Sequence, residues 1–227
     1  MSNQLTKYPS AGIREILAIA VPLIISSLSA NLMNLVDRLM LAYYSVDAMN
    51  AAAASSISAM AMIYAALAIT GISGVFAGQN NGAKKYGEVA QPVWQMIWLS
   101  FSLVVIFVPV AIWGAKYTVP SSLHNMGGVD YFRIIMLFGF VTPMIAAISG
   151  FFTGIGKTKI ITIATISGNL LNAILDYLLI FGVGEVIEPM GIKGAAIATV
   201  SSQVINLIIL FAIFFKKTNR DKYNTAS

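Results

Sequence analysis

Six stretches of this 227-residue sequence are apolar for 20 residues or more: 16–44, 48–77, 89–113, 132–152, 160–181 and 194–215, with boundaries good to a few residues. A helix needs about 20 such residues to cross the hydrocarbon of a bilayer. Inside that hydrocarbon every backbone N–H and C=O must be satisfied within the segment, which leaves the helix as the only single-segment solution. The sequence therefore predicts an all-α polytopic membrane protein, a bundle of six transmembrane helices. Charge supports this. Only 10% of residues are charged and 58% are hydrophobic, against about 25% charged in soluble domains. A chain with so little charge cannot cover a water-facing surface, whereas a lipid-facing one has no need to. The first apolar stretch is too long for a cleavable signal peptide and carries Asp37 near its end.

The short loops predict the orientation, because Lys and Arg collect on the cytoplasmic side. With six spans, Lys7, Arg14, Lys84, Lys85, Lys157, Lys159, Lys216, Lys217, Arg220 and Lys222 all fall on one side. Arg38, Lys116, Arg133 and Lys193 fall on the other, diluted by Asp47, Asp130, Glu185 and Glu188. Adding or removing a span destroys the alternation. The expectation is a multi-pass protein of the cell membrane with both termini cytoplasmic. Residues 1–215 form the transmembrane lobe, and 216–227 form a basic cytoplasmic tail too polar to fold alone. Trp94, Trp98, Trp113 and Tyr117 lie toward the ends of the third span, where aromatic side chains anchor at the interface or simply pack. The net charge of +5 belongs to these loops and does not imply nucleic acid.

The polar residues inside the spans narrow the function. Asp37 and Asp176 are the two carboxylates placed within apolar stretches. A central Asp costs roughly 2.5–3.5 kcal/mol by insertion scales, so intramembrane acids are by default functional. Such an acid persists by pairing, by binding a cation or by holding a proton. Asn169, Asn172 and Asp176 are three and four apart and share a helix face. Asn31, Asn34 and Asp37 or Arg38 form a second stripe, and Thr199, Ser202, Gln203 and Asn206 a third. Such stripes either join helices by hydrogen bonds or supply oxygens to a cation. Gly150 and Gly154 form a Gly-x-x-x-Gly pair suited to close helix packing. Pro22 and Pro143 remove backbone hydrogen bonds and predict bends. Gly71-Ile72-Ser73-Gly74 and Gly191-Ile192-Lys193-Gly194 share a pattern too short to establish a repeat.

Several chemistries are excluded. The chain has no cysteine and one histidine, His124, which removes disulfides, thiolate sites and a histidine metal centre. Gly156-Lys157-Thr158 resembles the end of a phosphate-binding loop, but Phe151 stands where that motif needs glycine. No nucleophile, base and orienting acid form a set, so the chain is not read as an enzyme.

Five strings, in order, resemble the multidrug and toxic compound extrusion (MATE) transporters over nearly the whole chain. They are the first helix from Pro22 through Asn31 and Asn34 to Asp37 with Ala48-Met49-Asn50; Gly78-Gln79-Asn80-Asn81-Gly82-Ala83; Phe152-Thr153-Gly154-Ile155-Gly156-Lys157-Thr158; Asn169 through Asn172 and Asp176 to Gly182; and Gly191 to Thr199. The resemblance implies cation-coupled antiport, exporting organic and often cationic compounds against inward Na+ or H+, with no cofactor beyond that coupling ion. It also implies that Asp37, Asn172, Asp176 and Thr199 hold the ion, Thr199 depending on the length of the loop bearing Glu185 and Glu188. Family members have about twelve spans in two lobes, and this chain matches the amino-terminal lobe only. The expected partners are thus the bilayer, a small organic substrate, and a second lobe or second copy. A truncated or split gene, a separately encoded half and a half-size homodimer all fit. Two other functions stay open: a lobe of a lipid-linked-precursor flippase from the wider superfamily, and a non-transporting scaffold whose polar residues only join helices.

Overall fold

The computed structural model describes residues 12–226. Lys7 and the amino terminus, to which the positive-loop reading assigned a side, lie outside the described residues. The described residues are helical almost throughout, with one isolated bridge between Val183 and Ile187 in the loop that carries Glu185. Five helical segments are long and apolar enough to cross a membrane, and a bent pair makes the sixth.

The first span is α1 (Ile13–Tyr44), unbroken through Pro22. The second consists of α2 (Val46–Thr70) and α3 (Ser73–Gly82), divided at Gly71 and Ile72. A 3-10 turn at Tyr86–Glu88 leads into the third, built from α4 (Gln91–Ser102), α5 (Val104–Pro109), a π-helical turn at Val110–Gly114 and α6 (Ala115–Thr118). A proline cannot donate to the preceding turn, and a widened turn beside Pro109 absorbs the mismatch. The fourth span is α7 (Gly128–Leu137) and α8 (Val141–Gly154), which meet at 41°. The break lies at 138–140, one turn before Pro143. The ring of a helical proline clashes with the carbonyl four residues earlier, here that of Gly139, so the bend appears at the acceptor. Pro143 itself sits in the first turn of α8, where an N–H has no helical partner anyway. The fifth and sixth spans are α9 (Thr158–Phe181) and α10 (Ile192–Phe214).

The bundle interior holds two apolar clusters. One gathers Ala59, Ile63, Phe132, Met136, Ile180 and Ala196, and the other Val93, Ile148, Phe151, Phe152, Leu210 and Phe214. Ala51, Ala52, Ala195 and Ala198 are buried between helices, as expected where association depends on close backbone approach. Outward, α1 presents Ile16, Leu28 and Leu32, α5 presents Val105, and α9 presents Ile163 and Leu170. In water this would be an aggregating surface, whereas in a bilayer such a face can turn to lipid at no cost.

The two ends of the bundle differ in charge. At one end Lys193 Nζ lies 3.0 Å and Arg133 Nη1 3.8 Å from Asp130. The other carries Lys85, Lys157 and the segment after Phe214, which is folded rather than disordered. Lys217–Tyr223 forms α11. Asn219 Nδ2 donates to the Ile213 carbonyl at 2.8 Å, Thr225 Oγ1 to the Phe214 carbonyl at 3.0 Å, and Lys157 Nζ to Asn219 Oδ1 at 3.4 Å. Tyr223 is buried and Lys222 Nζ sits 4.7 Å over the Tyr86 ring. A short polar segment lacks enough apolar surface to order itself, but here its backbone and amides cap the end of α10. Trp94 belongs to this arrangement and is not a membrane anchor. Its indole N–H donates to the Thr225 carbonyl at 3.2 Å and its ring packs on Phe214 and Phe215. Trp98, Trp113 and Tyr117 are exposed on the outside of the third span.

Candidate functional site

The site grows from one helix pair. Spans one and five cross the bundle in the same direction, and α1 and α9 lie side by side in a constant register. Thr162 Oγ1 donates to the Pro22 carbonyl at 2.7 Å, Ser26 Oγ to Thr162 Oγ1 at 3.1 Å, and Asn169 Nδ2 to Ser29 Oγ at 2.8 Å. Further along, the Asp37 carboxyl comes within hydrogen-bonding reach of the Asp176 carboxyl. The seam ends where Tyr43 and Tyr44 pack on Phe181.

Asp176 is fully buried and Asn172 nearly so, while Asp37 is half-buried. Asn172 Nδ2 donates to Asp176 Oδ2 at 3.1 Å. That is one helical turn closing on itself, the reason an Asn and an Asp four apart work together. Asp37 Oδ1 and Asp176 Oδ1 are buried without a hydrogen-bond partner, as is Asn206 Oδ1 on α10. An orphaned acceptor in a low-dielectric interior is costly, and a single proton or small cation between the two facing carboxyls would relieve that cost. Hard cations prefer such oxygens. Among the described residues no three His, Cys, Asp or Glu side chains gather, so the site's negative charge is that of this one pair.

Asp37 also opens onto a cavity of about 480 Å³, within the range of small-molecule sites. Asn34, Arg38 and Leu41 line it from α1; Ser56, Met60 and Tyr64 from α2; Tyr131 from α7; and Thr199 and Gln203 from α10. Ser56 Oγ donates to the Tyr131 hydroxyl at 3.1 Å, and Thr142 Oγ1 to Gln203 Oε1 at 3.2 Å, so the wall is cross-linked between helices.

Each residue singled out in the sequence can now be placed. Asp37, Asn172 and Asp176 form one contiguous cluster. Thr199 shares the cavity wall with Asp37, but its hydroxyl donates to the Ala195 carbonyl of its own helix at 3.0 Å. Its oxygen keeps a free lone pair. Asn172 uses its amide nitrogen on Asp176, so presenting the carbonyl oxygen to a cation requires the amide to turn. Asn31 donates to the Ser27 carbonyl on the outside of α1 and lies apart from the site. Sequence reasoning missed the α2 wall, although Ser56, Met60 and Tyr64 recur at four-residue spacing, and Tyr131, which nothing in its local sequence marks. It also missed Ser26, Ser29 and Thr162. A signal was present: Thr158, Thr162, Thr165, Asn169, Asn172 and Asp176 alternate by four and three along α9.

The profile of the MatE family matches residues 22–178. The chain belongs to this family. The matched segment holds Pro22, Asp37, Asn172 and Asp176 and stops short of Thr199. This MatE chain is 29% identical over 198 residues to the multidrug resistance protein MdtK of Klebsiella pneumoniae (strain 342), covering 83% of this chain and 42% of that protein. It superposes on a crystal structure of a MATE mutant with a TM-score of 0.81 at 20% identity, covering 97% of this chain and 48% of that one. An outward-facing multidrug resistance MATE family transporter of the MOP superfamily gives 0.76, also at 20% identity, over 94% and 47%. The MatE chain thus spans somewhat under half the length of these relatives, and the shared fold is that of one lobe.

Proposed function

We propose that this chain is one lobe of a cation-coupled secondary transporter that exports small organic compounds. The observation that carries the proposal is the Asp37–Asp176 pair, whose orphaned oxygens adjoin a cavity of ligand size. A seam that only joined helices would give each acceptor a donor, as Ser29 and Pro22 are given theirs, so the orphaned atoms argue against a scaffold. In this reading Asp37, Asn172, Asp176 and Thr199 would hold Na+, or the acid pair would hold a proton. The bound cation supplies the charge that makes burial of two carboxylates tolerable. Asp37 faces both Asp176 and the cavity, so a change in its charge is felt directly by a compound lying against Tyr64 and Tyr131. Arg38 shares the wall and offsets part of the acid's field, so aromatic and apolar contact would do much of the selecting among organic, often cationic, substrates. The relatives' description as multidrug resistance proteins fits such a wall.

The lobe, residues 1–215, would lie in the cell membrane with both termini and the basic 216–227 tail cytoplasmic. It would work against a second lobe, supplied by more chain, a separate half or a second copy. The orientation is tested in this cysteine-free protein by single cysteines. Asp130→Cys and Glu188→Cys are expected to react only from outside and Lys84→Cys only from inside. The reverse pattern would sink it.

Cation binding is tested by thermal unfolding. A ligand at 100 times its Kd adds about 2.7 kcal/mol to a protein that binds it only when folded. Wild type is expected to gain roughly 5–10 °C on adding Na+ or on lowering pH, and Asp37→Asn is expected to lose most of that gain. A wild-type midpoint indifferent to both would overturn the reading.

A further inference from the structure

We propose that Arg38 is a specificity residue of the cavity, the group that takes the carboxylate of a substrate whose ammonium end lies at Asp37. The inference rests on the transport reading of the cavity given above and narrows its substrate class to amphoteric compounds. Asp37 and Arg38 are chain neighbours of opposite charge, yet they do not neutralise each other. Adjacent residues on a helix point about 100° apart and do not face one another. Asp37 is turned to Asp176 on α9. Arg38 belongs to the next row, Asn34–Arg38–Leu41, which lines the cavity and whose Leu41 lies in one apolar cluster with Ala48, Ala51 and Ala52 of α2. Among the described residues the ion pairs engage Lys85, Arg133, Lys193 and Arg220, and neither an ion pair nor a hydrogen bond reaches the Arg38 guanidinium.

An ionisable residue inside a span is by default functional, and the question is what it pairs with. An acid can escape its charge by taking a proton, but a guanidinium cannot shed its own. Arg38 lies about 9 Å from the end of α1 at Tyr44. Reaching back to that end works against the helix, because each Cα–Cβ bond tilts toward the helix N-terminus, here toward Asn34 and the cavity. A planar guanidinium there offers a fork that matches a carboxylate and a face that stacks on aromatic rings, and Tyr64 and Tyr131 stand on the same wall. A compound that is only cationic meets the like charge of Arg38, and one that is only anionic meets Asp37 and Asp176. A compound carrying an ammonium and a carboxylate satisfies both, and the cavity of about 480 Å³ has room for an aromatic body between them. The two contacts then do different work. The charge of Arg38 is the same whether or not the acid pair holds its cation, so its contact adds affinity in both states and shifts neither. The charge of Asp37 is cancelled on loading, so the ammonium end alone senses the coupling ion. A phospholipid headgroup carries the same two charges, and the test below separates it from a free compound.

Binding calorimetry on the purified protein in Na+-free buffer at neutral pH provides the test, with para-aminomethylbenzoate and its methyl ester as probes. Each is one aromatic ring with an ammonium at one end, and the ester lacks only the charge at the other. Wild type is expected to bind the acid about tenfold more tightly than the ester, the increment of one hydrogen-bonded contact to a charged group. Arg38→Gln is expected to erase that preference by weakening the acid alone. Arg38→Lys is expected to restore part of it, since an ammonium keeps the charge without the fork. Both variants are expected to keep the gain in unfolding midpoint from Na+ or acid, because Asp37 and Asp176 are untouched. A variant that loses that gain and weakens acid and ester equally shows an arginine that only shapes the acid pair, and overturns the assignment. Wild type that binds acid and ester equally removes the Arg38 assignment alone, with no variant needed. Wild type that binds neither brings down the ligand-binding reading of the cavity together with it. A preference for the acid that is present in detergent and lost in phosphatidylethanolamine nanodiscs means that a lipid headgroup holds Arg38, and overturns the assignment to a free amphoteric compound.

Discussion

Asp37→Asn and Asp176→Asn are each expected to abolish transport driven by a Na+ or proton gradient while leaving membrane insertion intact. Asn has nearly the shape of the acid, so the packing around Asp176 should survive. What it lacks is a charge that a cation can cancel. Moving a two-state equilibrium from 1:99 to 99:1 takes about 5.5 kcal/mol of differential stabilisation. Two intramembrane carboxylates, at roughly 2.5–3.5 kcal/mol each, together supply about that much. With both charged, the bundle interior carries uncompensated negative charge. A cation relieves it and favours the arrangement closed around the pair. With one acid replaced, only about 3 kcal/mol remains, enough to reach a ratio of roughly 60:40 from the same start. A lobe that cannot complete its switch cannot couple. The assay is uptake into vesicles holding the reconstituted protein under an imposed gradient, with membrane-fraction yield as the insertion control. Wild-type rates in both variants would rule out the coupling role.

How far the sequence reveals this arrangement depends on the range of the interaction. The six spans follow from hydropathy, which is local, and the loop lysines follow the same alternation. The Asn172–Asp176 face of α9 was legible from its four-residue spacing, but that Asp37 of another helix joins it came only from the family resemblance. The breaks at Gly71, beside Pro109 and at 138–140 were less legible, because a backbone break depends on which neighbour satisfies the freed carbonyls. The Pro143 bend was expected in the right span but appears one turn earlier, at the carbonyl the proline excludes. The tail was misread for a related reason. Its order comes from Trp94 and from the end of α10, not from its own composition. Ser26, Ser29 and Thr162 are unremarkable singly, since apolar helices often carry Ser and Thr. Only the parallel register of α1 on α9 makes them one seam.

The glycine pair makes the second large prediction, and it is asymmetric. Gly150 and Gly154 on α8 pack against Gly74 and Gly78 on α3, a second Gly-x-x-x-Gly that the sequence also contains. A Cβ on Gly154 would lie 2.7 Å from the Gly78 backbone N and 2.8 Å from Ala77 Cβ. One on Gly150 would collide with Ser73 Oγ and sit 2.6 Å from Gly74 N. The Gly74 and Gly78 nitrogens are backbone and Ala77 Cβ has no rotamer, so only Ser73 Oγ could swing away and the helices must separate. Separation also loosens the bond from Asn81 Nδ2 to the Gly154 carbonyl, 3.2 Å, and that from Ser73 Oγ to Ala147 O, 3.0 Å. Overpacking of this kind costs typically 1–3 kcal/mol, so Gly154→Ala is expected to lower the unfolding midpoint by roughly 2–12 °C. Gly154→Leu, which adds a branched side chain to the same contact, should leave no stable lobe. The opposite face behaves differently. A Cβ on Gly78 meets Gly154 Cα at 3.7 Å, an ordinary contact, so Gly78→Ala should be close to neutral. Thermal unfolding in detergent of the two alanine variants side by side decides the matter. Equal midpoints would mean that α3 and α8 do not approach in this register, and with that the packing of the lysine-rich half of the bundle would have to be redrawn.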